Sequence, residues 1–280
     1  GMIQAGIIGD GIRGDNHDPK AGATVKGIKT VTGGEYAGGF VGLGDVAAVA
    51  EVSTGGSSIL GSLLGLGALD VLDAFRTYIY DSSVTGSAAS GLVVNAKKGE
   101  NKESQNEGEY KVYSGSAGGF AGTLLNGTIL DCSVTELKHV EAVNYSGGFI
   151  GHSGKSGAVD LDNVGILQGG LGNLLGANIG IADVCGSTIN DSTVKGMAGG
   201  YTVKSRDGDD EIAGGFIGNG DLARMDRNSA VNLKQVSSDK TAGGFIGKTS
   251  YAYLVNAEVN SLLLDPVLDL VLGLVNALLP

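Results

Sequence analysis

The sequence predicts a mostly β fold: a parallel β-helix, or solenoid, of right-handed sense, interrupted by short helical insertions and closed by an apolar C-terminal helix. Three observations carry that reading. The hexapeptide Ala37-Gly38-Gly39-Phe40-Val41-Gly42 returns at 117–122, 146–151, 213–218 and 242–247, each time as a small residue, Gly-Gly-Phe, one more residue and Gly. Neighbouring copies from Gly118 to Gly147 and from Gly214 to Gly243 stand 29 positions apart, a period typical of stacked supersecondary units. Segments between the copies alternate apolar and polar residues and favour β-branched ones, which is strand chemistry. One such unit has no second face to bury, so it needs neighbours above and below.

Taken in order, residues 3–36 are expected to form a first, irregular coil. Gly9-Asp10-Gly11-Ile12-Arg13-Gly14 follows the apolar Ile7-Ile8 with the spacing of a dinucleotide-binding turn. Such a turn must open a helix whose first amides face the pyrophosphate. Turn-forming Asn16-His17-Asp18-Pro19-Lys20-Ala21-Gly22 comes next instead, so no cofactor is assigned. Arg13-Gly14-Asp15 is the tripeptide used by ligands of host integrins, and it is kept as a cell-binding candidate.

Thr30-Val31-Thr32 leads into the first core. There, Gly38 and Gly39 permit positive φ or a close backbone approach, and Phe40 is expected to point inward. Gly118, Gly119 and Phe120, then Gly147, Gly148 and Phe149, repeat the arrangement. Gly214, Gly215 and Phe216, and finally Gly243, Gly244 and Phe245, complete a predicted Phe ladder. Ala198-Gly199-Gly200-Tyr201 is a weaker copy without the last Gly. Second strand segments are read at Val49–Val52, Ile129–Val134 and Leu254–Val259.

Residues 53–80 break the repeat. Ile59, Leu60, Leu63, Leu64, Leu66, Leu69, Leu72 and Phe75 follow helical spacing, with Asp70 and Asp73 on the wetter side, as in an amphipathic helix against the solenoid flank. Residues 97–109 are polar without an apolar period and read as a protruding loop. A second apolar, Gly-rich insertion occupies 166–180, and 206–211 forms an acidic turn that lacks the register of a calcium loop. In 262–279, nearly continuous aliphatics hold Asp265, Pro266 and Asp269. Asp265 as cap and Pro266 in the first turn predict a helix, one that covers the last strand edges. The domain reading is therefore a solenoid over 1–258 and a capping helix over 259–280.

Composition bounds the function. The chain has 51 glycines in 280 residues, well above the roughly 7% of ordinary proteins. With only 3 prolines and no three-residue glycine period, collagen is excluded. The formal charge of −11 disfavours nucleic acid and anionic lipid as partners. The acids and proline of the apolar tail argue against membrane insertion. Cys132 and Cys185 read as buried thiols rather than a required pair, and no metal-ligand cluster is apparent. Gly1 before Met2 reads as the remnant of a cleavage, and the chain as part of a longer secreted protein with further domains.

No catalytic motif survives inspection. His17, His139 and His152 are scattered, and the 148–156 stretch has Phe149 where a phosphate-binding loop needs Gly. The alternative to a non-catalytic protein is a polysaccharide lyase or glycosidase on a β-helix, using acids such as Asp160, Asp162, Asp191, Asp221 and Asp226. The Gly-Gly-Phe-x-Gly cores resemble the GLUG-type repeat of bacterial surface and adhesin-like proteins, over roughly residues 24–258. That family usually carries an aliphatic where this chain has Phe or Tyr. The resemblance implies a bacterial cell-surface or extracellular repeat domain, adhesive or structural, with a glycan or protein ligand. It implies no catalytic residue, cofactor or metal.

Overall fold

The computed structural model describes residues 1–4, 6–9, 22–45, 76–97, 115–154 and 186–250. Among them there is no helix, and the strands pair in parallel across four stacked sheets. Sheet A holds β1 (Met2–Gln4), β6 (Val41–Asp45), β11 (Ala121–Leu125), β15 (Ile150–Gly154), β20 (Ile217–Asp221) and β25 (Ile246–Ser250), in that order. Sheet B holds β2 (Ile7–Ile8), β7 (Thr77–Tyr80), β12 (Gly127–Leu130), β16 (Ser187–Asn190) and β21 (Ala223–Asp226).

Sheet C is wider. Its first half runs β3 (Thr24–Ile28), β8 (Ser83–Gly86), β13 (Ser133–Ala142), β17 (Thr193–Gly196) and β22 (Ser229–Val231). Its second half runs β4 (Thr30–Gly33), β9 (Leu92–Ala96), again β13, β18 (Tyr201–Ser205) and β23 (Leu233–Ser238). Sheet D holds β5 (Tyr36–Gly38), β10 (Ser116–Gly118), β14 (Tyr145–Gly147), β19 (Ile212–Gly214) and β24 (Thr241–Gly243). The chain visits A, B, C and D in turn, and each circuit adds one rung to every sheet. That pairing pattern is the one a parallel β-solenoid makes.

Inside, equivalent residues stack. Val25, Val84, Val134, Val194 and Ala230 form one column on sheet C, and Val31, Val94, Val140, Val203 and Val236 another. Ile8, Ile79, Ile129, Ile189 and Met225 do the same on sheet B. The middle members are fully buried, while those on the first and last rungs are only partly covered.

The glycines of the hexapeptide exist because sheets D and A meet backbone to backbone. A Cβ on Gly147 would lie 1.8 Å from the Ile150 carbonyl oxygen, and one on Gly148 would lie 2.0 Å from that of Gly215 in the next rung. A Cβ on Gly151 would lie 2.6 Å from the Ala117 carbonyl oxygen. The positive-φ option offered by the sequence is not the one used: positive φ falls at Gly9, Gly27, Gly91, Gly115 and Gly200.

Three sequence readings change. Residues 3–36 contain regular strands in register with the rungs that follow, rather than an irregular coil. The first insertion ends before residue 77, because Thr77–Tyr80 is β7 and Ile79 belongs to the core. Ala198-Gly199-Gly200-Tyr201 is not a hexapeptide copy. Residues 198–200 make the turn between β17 and β18, and Tyr201 is a sheet C residue in register with Leu233. Its buried ring reaches across the interior, where its hydroxyl donates to the Gly215 carbonyl (2.6 Å). The segments at 49–52 and 254–259, the 53–75 insertion, most of the 97–109 loop, the 166–180 insertion and the C-terminal helix lie outside the described residues.

Candidate interaction surface

Parallel strands in register carry equal positions to the same side, so alternation on sheet C sorts side chains into inner columns and outer rows. Ahead of the first valine column, the outer face has one hydroxyl row of Thr24, Ser83, Ser133, Thr193 and Ser229. Lys26, Thr85 and Thr135 begin the row beside it. Hydroxyls bridge successive rungs: Ser83 to Thr24 (3.3 Å), Thr135 to Thr85 (3.2 Å) and Thr193 with Ser229 (2.8 Å). On the second half, Thr30, Val93, His139, Thr202 and Gln235 make one row, and Thr32, Asn95, Glu141, Lys204 and Ser237 the other.

At the centre of this face the hydroxyls give way to a charged relay. His139 Nε2 stands 3.0 Å from a Glu141 carboxylate oxygen, and Nδ1 stands 2.6 Å from Thr202 Oγ1. A carboxylate only accepts, so Nε2–H donates to Glu141 and, in the neutral ring, Nδ1 accepts from the Thr202 hydroxyl. Arg206 Nε donates to the other Glu141 oxygen (2.6 Å). Partial burial pushes the Glu141 carboxyl up, but hydrogen bonds from His139 and Arg206, with the Arg206 charge, outweigh it and hold it below the usual range.

The order hydroxyl, imidazole, carboxylate is that of a nucleophilic relay. Its setting is not. The relay lies on a strand face, and β18 is hydrogen-bonded on both sides, to β13 and β23. Those strand amides serve the ladder and do not converge on a developing oxyanion. The arrangement suits recognition of polar groups.

The other candidates separate. Phe40, Phe120, Phe149, Phe216 and Phe245 form an interior stack with ring centroids 4.8–4.9 Å apart, beside their glycine pairs. Arg13, Gly14, Asp15, His17, Asp160, Asp162 and Cys185 lie outside the described residues. Asp191 accepts a two-pronged contact from Arg227 (2.5 and 2.9 Å), and Asp226 is bound to the same guanidinium. Both acids are tied to one cation, which is not how a proton donor and a nucleophile are held. Asp221 is on sheet A, raised by burial despite the Asn219 hydrogen bond and the Lys248 charge.

His152 is fully buried on β15, with the Tyr145 ring 5.1 Å away, and burial depresses its pKa to about 3. In the acidic turn, Glu211 accepts from the amides of Gly208 and Asp239 (both 3.2 Å), so its oxygens cap the loop. Among the described residues no three His, Cys, Asp or Glu side chains are grouped to hold a metal ion.

Cys132 takes the place of a serine. Along one corner, Ser82 and Ser192 turn back to the carbonyls of Tyr80 (2.8 Å) and Asn190 (2.9 Å), and the Cys132 thiol does the same to Leu130 (3.3 Å). Burial raises its pKa to about 12, so it remains a thiol. The outer rows went unrecognised in the sequence although their signal was there. Ser83-Val84-Thr85 and Ser133-Val134-Thr135 are the same tripeptide on successive rungs, and Thr193-Val194-Lys195 follows them in register.

The fold and the surface together define a class, a parallel β repeat protein with a polar strand face. Comparison with protein-family models, curated proteins and solved structures gave no match for this chain.

Proposed function

We propose that the chain is a non-catalytic repeat domain of a bacterial cell-surface protein, adhesive or structural, and that the outer face of sheet C is its contact surface. The observation that carries this is the continuity of the hydroxyl row, five rungs deep and in register, with the His139–Glu141–Arg206 relay beside it. Repeated hydroxyls at a rung pitch of about 4.8 Å suit an extended ligand with repeating polar groups, such as a glycan, better than a compact one. The GLUG-type likeness of the cores agrees with a surface location.

The circuits are right-handed in this reading, as parallel crossovers overwhelmingly are. In the same reading the apolar insertions at about 53–75 and 166–180 are helical, and 259–280 is a helix covering the last rung. That rung offers a shallow groove of about 300 Å³ between Leu233–Val236 and Ala242–Gly244.

The test is saturable binding to immobilised mucin, matrix proteins and glycans. Thr85→Ala/Thr135→Ala and Asp15→Glu are measured beside the parent chain. Binding lost in the threonine variant supports the sheet C surface. Loss only in Asp15→Glu moves the contact to the Arg13-Gly14-Asp15 tripeptide, and release of sugar fragments from a polysaccharide panel overturns the non-catalytic reading.

A further inference from the structure

The chain as a whole is acidic, at −11, but the outer face of sheet C is not. Its strands and mid-sheet turns carry Lys26, Lys29, Lys138, Lys195, Lys204 and Lys234 against two acids, Glu136 and Glu141. Asp81, Asp131, Asp191 and Asp226 gather instead at the end of sheet B, and Asp207, Asp209 and Asp210 in the acidic turn. The net charge therefore conceals a basic strip.

Three of these lysines hold one structural position. Gly27, Glu136 and Asn232 take positive φ, at 72°, 56° and 59°, and Ile28, Leu137 and Leu233 then turn toward the core. Lys29, Lys138 and Lys234 come next, and all three are exposed. Leu137 pairs with Leu92 and His139 with Val93, so Lys138 is the extra residue of a bulge. Lys234 is another, since Leu233 pairs with Tyr201 and Gln235 with Thr202. Lys29 lies between Ile28, paired with Gly86, and Thr30, paired with Val93. Bulges of this kind re-aim a side chain out of the ladder.

The rungs between are cut back at the same place. A Cβ on Gly91 would lie 2.7 Å from the Lys138 Cβ, and one on Gly200 would lie 3.0 Å from the Lys234 Cβ. Each of these two lysine stems stands beside a glycine whose own side chain would crowd it. Lys29, Lys138 and Lys234 belong to the first, third and fifth rungs of sheet C. Their anchor points are thus two rungs, or about 10 Å, apart.

We infer that this line binds a linear anionic glycan with an acid group on every second sugar, lying along the solenoid axis. The inference rests on the reading of sheet C as the contact surface and adds the ligand class. Charge complementarity names the occupant, because one cation per two rungs matches one acid per extended disaccharide. Hydroxyls on either side of the line, from Ser83 and Ser133 on one half and Thr30 and Thr202 on the other, meet the uncharged sugars between. Nucleic acid fits less well. Duplex phosphates recur about every 3.4 Å along each strand, far more densely than the lysines, and the outer rows hold no Phe, Tyr or Trp on which a base could stack.

The experiment is saturable binding of the full chain to four immobilised probes at low and raised salt. They are hyaluronan, with a carboxylate on every second sugar; polygalacturonate, with one on every sugar; dextran, with none; and duplex DNA. Lys138→Ala/Lys234→Ala is measured beside Arg224→Ala/Lys248→Ala, an equal change of charge at exposed positions on sheets B and A. Hyaluronan binding is expected to weaken with salt and to fall about 25-fold in the first pair, at about fivefold for each lysine beside an anionic surface. The second pair, away from the strip and screened from it, should lose less than about threefold. Lys138→Arg/Lys234→Arg keeps the charge and should keep the binding.

Equal loss in the two alanine pairs, or tighter binding to polygalacturonate than to hyaluronan, overturns the spaced line. Loss in the arginine variant as well shows that the lysines serve the fold, and tighter binding to DNA assigns the strip to nucleic acid; either result overturns the inference. Dextran binding that Thr85→Ala/Thr135→Ala abolishes and the lysine pairs leave intact overturns the anionic class alone and keeps sheet C as the contact surface. Binding to none of the four probes overturns the inference, and the mucin and matrix panel then judges the surface separately.

Discussion

The arc where sheets D and A meet and the outer face of sheet C belong to the same rungs, yet sequence constrains them in opposite ways. In the arc, one backbone lies against another, and on the three inner rungs each hexapeptide glycine stands where a single added carbon would meet a carbonyl oxygen. On sheet C the only requirement is alternation: a β-branched residue inward, and outward anything that tolerates a parallel strand. The arc therefore repeats almost letter for letter from 37–42 to 242–247, while the second half of sheet C changes from Val-Val-Asn to His-Val-Glu to Thr-Val-Lys on successive rungs. A repeat that is easy to read is thus the scaffold, and the part that is free to vary is the part able to recognise something.

The sharpest way to break that contrast is Gly147→Ala. Its methyl carbon would sit 1.8 Å from the Ile150 carbonyl oxygen with the Gly218 amide nitrogen 2.8 Å away, both rigid backbone. Sheets D and A must then separate over neighbouring rungs. A loss of more than about 4 kcal/mol is expected, seen as failure to fold or a collapsed urea midpoint. A midpoint near that of the parent chain would mean that the close approach is not required.

Phe149→Ala comes next. Its ring lies between Phe120 and Phe216, 4.9 Å from each and nearly parallel to both. Removing it leaves a gap in a fully buried stack, and about 3–5 kcal/mol is expected from equilibrium unfolding. Phe245→Ala should cost less, because its ring stacks on the described Phe216 alone and is only partly covered. Equal losses at the two sites would remove the distinction between inner and terminal rungs.

These sites also mark what was legible in the sequence. The Gly-Gly-Phe cores and their period gave the stacked parallel strands, because a motif enforced by backbone contact leaves a literal trace. Tyr201 was misread for the same reason: its Gly-Gly-Tyr letters match, but the turn at Gly200, with φ of 77°, serves another corner. Residues 24–33 looked irregular because their outer positions are Lys and Thr and their inner column is a lone valine on each half, too short for a visible period. The His139–Glu141–Arg206 relay was out of reach, since Arg206 lies 65 residues from Glu141 and only the rung register brings them together.

A smaller, pH-dependent effect belongs to His152, an interior side chain at a position where neighbouring rungs carry Thr123 and Asn219. Burial lowers its pKa from 6.5 to about 3. In the unfolded chain the imidazole takes up a proton near pH 6.5, while the folded chain refuses it until about pH 3. The unfolded state binds more protons in that window, so stability is full above 6.5 and falls as the pH drops through it. The parent chain should lose about 1.4 kcal/mol per pH unit there relative to His152→Gln, measured by denaturant unfolding at several pH values. Parallel stability curves for the two proteins would place the imidazole in contact with water.

The smallest effect is the one that most sharpens the comparison. Thr135 lies on the outer face between Thr85 and the rung of Thr193, and its hydroxyl makes a 3.2 Å contact with Thr85 Oγ1. A partly exposed hydroxyl–hydroxyl contact exchanges with water at little cost, so Thr135→Ala should change unfolding free energy by less than about 0.5 kcal/mol. In the same rung, Val134 is fully buried one residue away, and Val134→Ala should cost about 2 kcal/mol or more. The pair sets the two faces of one strand against each other with a single residue between them. If Thr135→Ala proves as damaging as Val134→Ala, the outer row is part of the scaffold, and its hydroxyls are ordered for the fold and not for a ligand. If it is silent in unfolding and still abolishes binding, the division between an invariant arc that builds and a variable face that recognises holds at the resolution of neighbouring residues.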